Sequence, residues 1–163
     1  MKDPCESCCS RREFLHIASA IVASGPLVSF LSSCGSSGDN GDAAPAAVDV
    51  PNSASNNYTF SFTQFPDLQN TGGSVHVKVA ATSGSKDLFV TRISSTSVNA
   101  VSAICTHQSC TLNKFMTSSQ QYGCPCHSSR FNADGSVAQG PATTALSSYT
   151  GTVTATGADF TIA

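Results

Sequence analysis

Two short segments restrict this chain more than anything else in it: Cys105-Thr106-His107-Gln108-Ser109-Cys110 and, 13 residues on, Cys124-Pro125-Cys126-His127-Ser128-Ser129. Each supplies a cysteine and a histidine at close spacing, Cys105 with His107 and Cys124 with His127, plus one additional cysteine. Thiolate and imidazole donors together select zinc or iron–sulfur over calcium or magnesium, which prefer oxygen ligands. Two cysteines and two histidines also meet the requirement of a tetrahedral zinc site. In either case the fold has to carry two separate loops to one point.

Cys110 and Cys126 have no ligand role in a four-ligand site, and a disulfide between them could tie the two loops together. The segments resemble the loops of the Rieske [2Fe–2S] family, C-T-H-x-G-C and C-P-C-H-G-S, with one departure in each, Ser109 and Ser128 in place of glycine. The resemblance extends to Gly140-Pro141-Ala142, similar to the family's proline loop over the cluster. It implies that Cys105 and Cys124 bind one iron of a single [2Fe–2S] cluster, that His107 and His127 bind the other, and that Cys110 and Cys126 are bridged. It implies one-electron transfer rather than bond-making on a substrate. Two neutral imidazoles in place of two anionic thiolates favour the reduced form, which puts such clusters at about −150 to +300 mV against about −400 mV for the four-cysteine plant type. Electron and proton uptake are then expected to be coupled at the iron-bound imidazoles.

Neighbouring residues should tune that potential. Ser129 occupies the position where the family's serine hydroxyl donates to a bridging sulfide and stabilises the reduced cluster. Phe131 stands where quinol-oxidising members carry a tyrosine whose hydroxyl bonds a ligand sulfur. The expected potential therefore lies below those members and above the dioxygenase-type Rieske proteins, which the resemblance says lack the disulfide. Gln108 replaces the leucine those members place beside the cluster. If the positions of Ser109 and Ser128 need positive φ, serine there carries strain or shifts the loop.

From Tyr58 onward, apolar and polar residues alternate in short runs rich in Val, Thr, Phe and Ile, bounded by Gly, Ser, Asn and Pro. The runs predict strands at 58–65, 74–80, 86–93, 99–104, 150–156 and 159–162. No helical stretch of useful length appears. The predicted fold is all-β, a Rieske-like antiparallel sandwich or barrel with a two-loop cluster-binding subdomain. Its core is expected from Phe60, Phe62, Val75, Val77, Val79, Leu88, Val90, Ile93, Val98, Val101, Ile104, Val153, Phe160 and Ile162. His76 reads as a surface or core histidine rather than a ligand.

Upstream, Arg11-Arg12-Glu13-Phe14-Leu15 precedes an apolar run ending in Leu31-Ser32-Ser33-Cys34. Positive charge before an apolar stretch is the layout of an export signal. The paired arginines resemble a twin-arginine signal, and the ending resembles a lipoprotein box in which cleavage would leave a lipid on Cys34. An uncleaved anchor is the alternative. Residues 1–34 are thus expected to be the signal, 35–57 a flexible Gly/Ser/Ala/Pro-rich tether, and 58–163 the Rieske domain. Cys5, Cys8 and Cys9 fall in the segment that cleavage would discard.

Eight Lys and Arg against ten Asp and Glu, a formal net charge of −2, offer no basic block to neutralise a phosphate backbone, which excludes nucleic acid as a partner. Nor does the sequence carry a candidate nucleophile or a mononuclear iron triad, so any catalytic label belongs to a complex. The expected protein is a membrane-tethered electron carrier on the periplasmic side of a bacterial membrane, passing electrons to a partner such as a c-type cytochrome. The alternatives are a Rieske subunit of a quinol–cytochrome c reductase or arsenite oxidase-like complex, and a structural zinc module.

Overall fold

The computed structural model describes residues 41–162 other than Asn52 and Ala54. The expected export signal, with Arg11, Arg12, Cys34 and the N-terminal cysteines, lies outside the described residues, as does the start of the tether. Among the described residues, no helix is long and apolar enough to cross a membrane.

The all-β expectation holds. Seven strands form one sheet in the order β1 (Val48–Val50), β3 (Ser74–Ala81), β4 (Gly84–Arg92), β5 (Ser97–Ser102), β9 (Ser148–Val153), β10 (Gly157–Thr161) and β2 (Asn57–Ser61). All neighbours are antiparallel except β1, which runs parallel to β3. Strands β6 (Gln121–Gly123), β7 (Arg130–Asn132) and β8 (Val137–Gln139) form a second, three-stranded sheet. The sole helical element described is a 3-10 turn at Pro66–Gln69, where proline sets the backbone angle that starts it. That turn ends the run expected at 58–65 early, because the chain leaves β2 after Ser61 to reach it.

The central strands explain why a simple alternating pattern gives way to continuous apolar runs. On one face Val75, Val77, Val79, Leu88, Val90, Val98 and Ala100 join Phe60, Leu68, Phe160 and Ile162 in the main core. On the other face Phe89 and Val101 belong to a second core with Leu112, Phe115, Tyr122, Phe131 and Leu146. Strands buried on both faces read as unbroken hydrophobic stretches, and Leu88-Phe89-Val90 is one. Four expected core residues, Phe62, Ile93, Ile104 and Val153, are only half-buried. The Arg92 guanidinium lies 5.6 Å from the Phe62 ring and covers it.

The second core sits under an insertion. The chain leaves the sheet at the end of β5 and returns at the start of β9, and these two strands pair directly, Val101 opposite Ser148. Ser102 N–H donates to Ser147 O at 2.8 Å where the insertion opens and closes. Both ends of the excursion are therefore pinned to adjacent strands, and the two Cys/His segments lie between them.

Residues 41–50, within the expected tether, are seated on the domain. Gly41 O accepts from Asn113 Nδ2 at 3.2 Å, and Asp42 O accepts from Lys114 N–H at 2.8 Å. Gly41 has φ +83°, and a Cβ there would meet the Met116 side chain at 2.7 Å, so glycine is required. Pro45 O accepts from His76 Nδ1 at 2.7 Å, and β1 then lies along β3, Val48 opposite Val77. His76 is a core histidine, stacked on Phe89 at 4.7 Å with its Nε2 against Asp87.

Candidate metal centre

The two Cys/His segments fold into the same backbone. In the first, Cys105 N–H donates to Cys110 O at 2.8 Å and Ser109 N–H to Cys105 O at 2.9 Å. In the second, Cys124 N–H donates to Ser129 O at 2.8 Å and Ser128 N–H to Cys124 O at 3.1 Å. Closing a six-residue loop this way needs a left-handed residue at its fifth position, and Ser109 and Ser128 stand there with φ of 55° and 60°. A serine in that conformation costs about 1–2 kcal/mol where glycine would cost little. The condition attached to these two serines is met in both loops, which hold their shape and carry the strain.

This backbone points the first cysteine of each loop inward. Cys105 and Cys124 are each 1% exposed and unbridged, and both belong to the second core. Burial pushes the Cys105 thiol up, backbone N–H groups of His107 and Gln108 at its sulfur oppose that rise, and the adjacent Cys124 thiol adds to it. Two buried thiols packed together are poor as free acids and well placed as metal ligands, since coordination removes their protons outright.

The histidines lie outward of the thiols. Their rings meet edge to face, 4.9 Å between centroids and 87° between planes. His127 is exposed, whereas His107 is half-buried and its Nδ1 is sealed from solvent with no hydrogen-bond partner. A buried ring nitrogen left unpaired is expensive, and a bound metal would satisfy it. Cys110 and Cys126 form a disulfide across the loops, with Cα atoms 6.5 Å apart. The Cys124 sulfur lies within 4.8 Å of both disulfide sulfurs, but those two are bonded to each other and have no thiolate to offer a metal. The donor set that remains is Cys105, Cys124, His107 and His127, soft sulfur and borderline nitrogen, which fits a [2Fe–2S] cluster with mixed ligation.

A third loop, 139–144, fastens onto the other two. Thr106 Oγ1 donates to Thr144 O at 2.6 Å, Gln139 Nε2 donates to Ser128 O at 3.1 Å, and Ala142 N–H donates to Ser129 Oγ at 3.0 Å. Ser129 is fully buried and accepts that bond, which does not use its own hydroxyl proton. The loop contains Gly140-Pro141, joined by a cis peptide bond. Thr106, Thr144 and Gln139 were not singled out from sequence. Thr106 sits inside the first motif and Gln139 directly precedes Gly-Pro, so adjacency was the available signal.

Phe131 is fully buried in β7, opposite Tyr122, in the core that holds both cysteines. Tyr122 packs on Phe89 at 5.4 Å and Phe115 at 4.9 Å. Thr91 Oγ1 donates to Ser74 Oγ at 2.7 Å, so the Tyr122 hydroxyl is the donor in its bond to Thr91. Burial pushes the Tyr122 phenol far up, and the two hydroxyls offset part of the rise. Gln108 is exposed beside the histidines.

Comparison with known proteins agrees with this geometry. The model of the Rieske [2Fe-2S] domain matches residues 65–150. The chain is similar to cytochrome b6-f complex iron-sulfur subunit 2 of Synechocystis sp., 41% identical over 54 residues, 33% of this chain and 29% of that protein. It is also similar to the cytochrome b6-f complex iron-sulfur subunit of Chlorobaculum thiosulfatiphilum, 38% identical over 52 residues, 32% of this chain and 28% of the relative. Each match thus spans less than a third of the relative's own length. Among solved structures, the ferredoxin of carbazole 1,9a-dioxygenase from Nocardioides aromaticivorans superposes with a TM-score of 0.52 at 21% identity, over 67% of this chain and all of that one, a likeness of fold.

Proposed function

Because the chain belongs to the Rieske [2Fe-2S] domain family, we propose that it is a one-electron carrier in which Cys105 and Cys124 hold one iron of a single cluster and His107 and His127 hold the other. The observation that carries this assignment is the donor set itself: two buried, unbridged thiols in loops of identical backbone, beside two facing imidazoles, one with a sealed and unpaired Nδ1. When bound, the cluster supplies reversible one-electron chemistry in a range of about −150 to +300 mV.

The chain's own residues set the conditions. The N–H groups of His107 and Gln108 face the Cys105 sulfur and stabilise its thiolate. The Cys110–Cys126 bridge and the third loop hold the two ligand loops in register, which limits rearrangement between redox states. Ser129 keeps a proton available to an acceptor on the metal side, which favours the more negative, reduced form. Phe131 fills its site without a hydroxyl, so one hydrogen bond to a ligand sulfur is missing and the potential lies below that of the quinol-oxidising members.

Location and partners belong to the same proposal. Arg11-Arg12 before an apolar run and Cys34 at its end support export by the twin-arginine route and a lipid anchor on the periplasmic side. The disulfide supports an oxidising compartment. Gln108 and Phe131, where quinol-oxidising members carry leucine and tyrosine, favour a free-standing carrier that serves a c-type cytochrome. Similarity to cytochrome b6-f iron-sulfur subunits favours the second reading, a subunit of a quinol-oxidising complex.

Low-temperature EPR on the full chain with its cofactor, as isolated and after ascorbate or dithionite, tests the core of this reading. A rhombic signal with an average g below that of four-cysteine ferredoxins is expected, and ascorbate should suffice to produce it. No signal in any state, with zinc in the metal analysis, would overturn the assignment. Recovery of cytochrome b with the purified protein would replace the free-standing carrier by the complex subunit.

A further inference from the structure

The three loops around the histidines carry no charged side chain. Residues 105–111, 124–129 and 139–147 contain no Asp, Glu, Lys or Arg. Besides His127 they expose amides and hydroxyls at Gln108, Ser109, Ser128, Thr143 and Thr144, together with the small apolar Pro125, Pro141 and Ala145 and no large apolar side chain. The hydrogen bonds from Thr106 to Thr144 and from Gln139 to Ser128 join the three loops into one surface. Charge is present elsewhere on the domain, where Lys78, Lys114 and Asp134 are exposed. The face is thus neither charged nor greasy, and it is the face at which the exposed ligand imidazole meets solvent.

Resting on the electron-carrier reading above, we infer that this face docks a redox protein whose own contact patch is uncharged and hydrogen-bonding. A partner that presented a ring of lysines or carboxylates would have to dehydrate them against a surface with no opposite charge, and an unpaired buried charge is costly. Hydroxyls and primary amides can answer either donors or acceptors, so a neutral polar patch loses little on contact. Encounter without charge steering proceeds at about 10⁵–10⁶ M⁻¹s⁻¹ and does not depend on ionic strength. Selection here works by exclusion of charged partners and by hydrogen-bond matching over a small polar face.

The test is stopped-flow oxidation of the reduced, cluster-loaded full chain by an anionic probe, ferricyanide, and a cationic one, tris(phenanthroline)cobalt(III), across ionic strengths from about 10 to 500 mM. With each probe the rate constant is expected to change less than about twofold across the series. Changes of tenfold or more, opposite in sign for the two probes, overturn the inference. Two variants, Thr143→Lys and Thr143→Glu, place charge on the face. Lysine should speed ferricyanide several-fold at low salt only and glutamate should slow it, with midpoint potentials displaced upward and downward respectively and converging as salt rises. Salt profiles and potentials that ignore both substitutions mean that electrons leave by another face, which also overturns the inference. A protein without a reducible EPR signal fails the carrier reading itself, before any salt series is run, and the inference falls with it.

Discussion

Loops 105–110 and 124–129 share one backbone and differ in what their side chains face. Both close through the same pair of hydrogen bonds around a left-handed serine, and both bury their first cysteine to 1% exposure. Beyond that they part. The first loop ends on Cys110, bound to Cys126 of the second, whereas the second ends on Ser129, held by the Ala142 N–H. The first histidine is half-buried with a sealed Nδ1, and the second is exposed. Equal backbones set two equivalent sulfurs, and unequal side-chain surroundings leave one imidazole guarded and the other open to solvent. On the proposed carrier reading, the contact point for electron exchange falls on the side of His127.

Substitutions of the two cysteines test the equivalence most severely. Cys105→Ala and Cys124→Ala are each expected to abolish cluster binding, with iron content falling to background and visible absorption lost. A variant that keeps half its iron would show that the loops are not equivalent as ligand carriers. Replacing Cys110 and Cys126 together by alanine removes the tie between loops whose cysteines are separated by 16 residues, and should cost about 3 kcal/mol in denaturant unfolding. A loss under about 1 kcal/mol would mean that the third loop alone holds the pair together.

A smaller effect is expected from Phe131→Tyr, which sharpens the comparison from the core side. Its hydroxyl would add one hydrogen bond to a ligand sulfur, worth about 1.5 kcal/mol, and raise the midpoint potential by about 60 mV. Redox titration reads this directly, and an unchanged potential would place the hydroxyl away from the sulfurs. The smallest effects belong to the serines: Ser109→Gly and Ser128→Gly should each stabilise the fold by about 1 kcal/mol. They lie in separate loops and should add. A gain in one loop only would show that the other has a compensating contact for its left-handed serine.

The base sheet was legible from sequence because alternation has one physical cause, a strand with one face in the core. Val75, Val77 and Val79 follow that rule and are buried as expected. The short strands β6, β7 and β8 escaped notice because three residues are too few for a period to show. The second core was missed for a related reason. Leu112, Phe115 and Leu146 come from irregular segments and Tyr122 from the three-residue β6, and only the insertion between β5 and β9 assembles them. The seating of residues 41–50 was equally hidden: Gly, Asp, Ala and Pro read as a tether, and the contacts that hold them are mostly backbone carbonyls, which every sequence possesses.

Residue chemistry and order were sufficient to nominate a donor set, because sulfur and imidazole at such spacing allow few other uses, and to name the all-β class, because strand periodicity is local. Position was a different matter. That Nδ1 of His107 is sealed while His127 is open, that Ser129 is fixed by Ala142, and that three loops merge into one uncharged face all depend on contacts between residues distant along the chain. Such contacts form when the β5 and β9 ends of the insertion pair and force its loops together, and a linear pattern does not encode which distant groups that closure brings within hydrogen-bonding range.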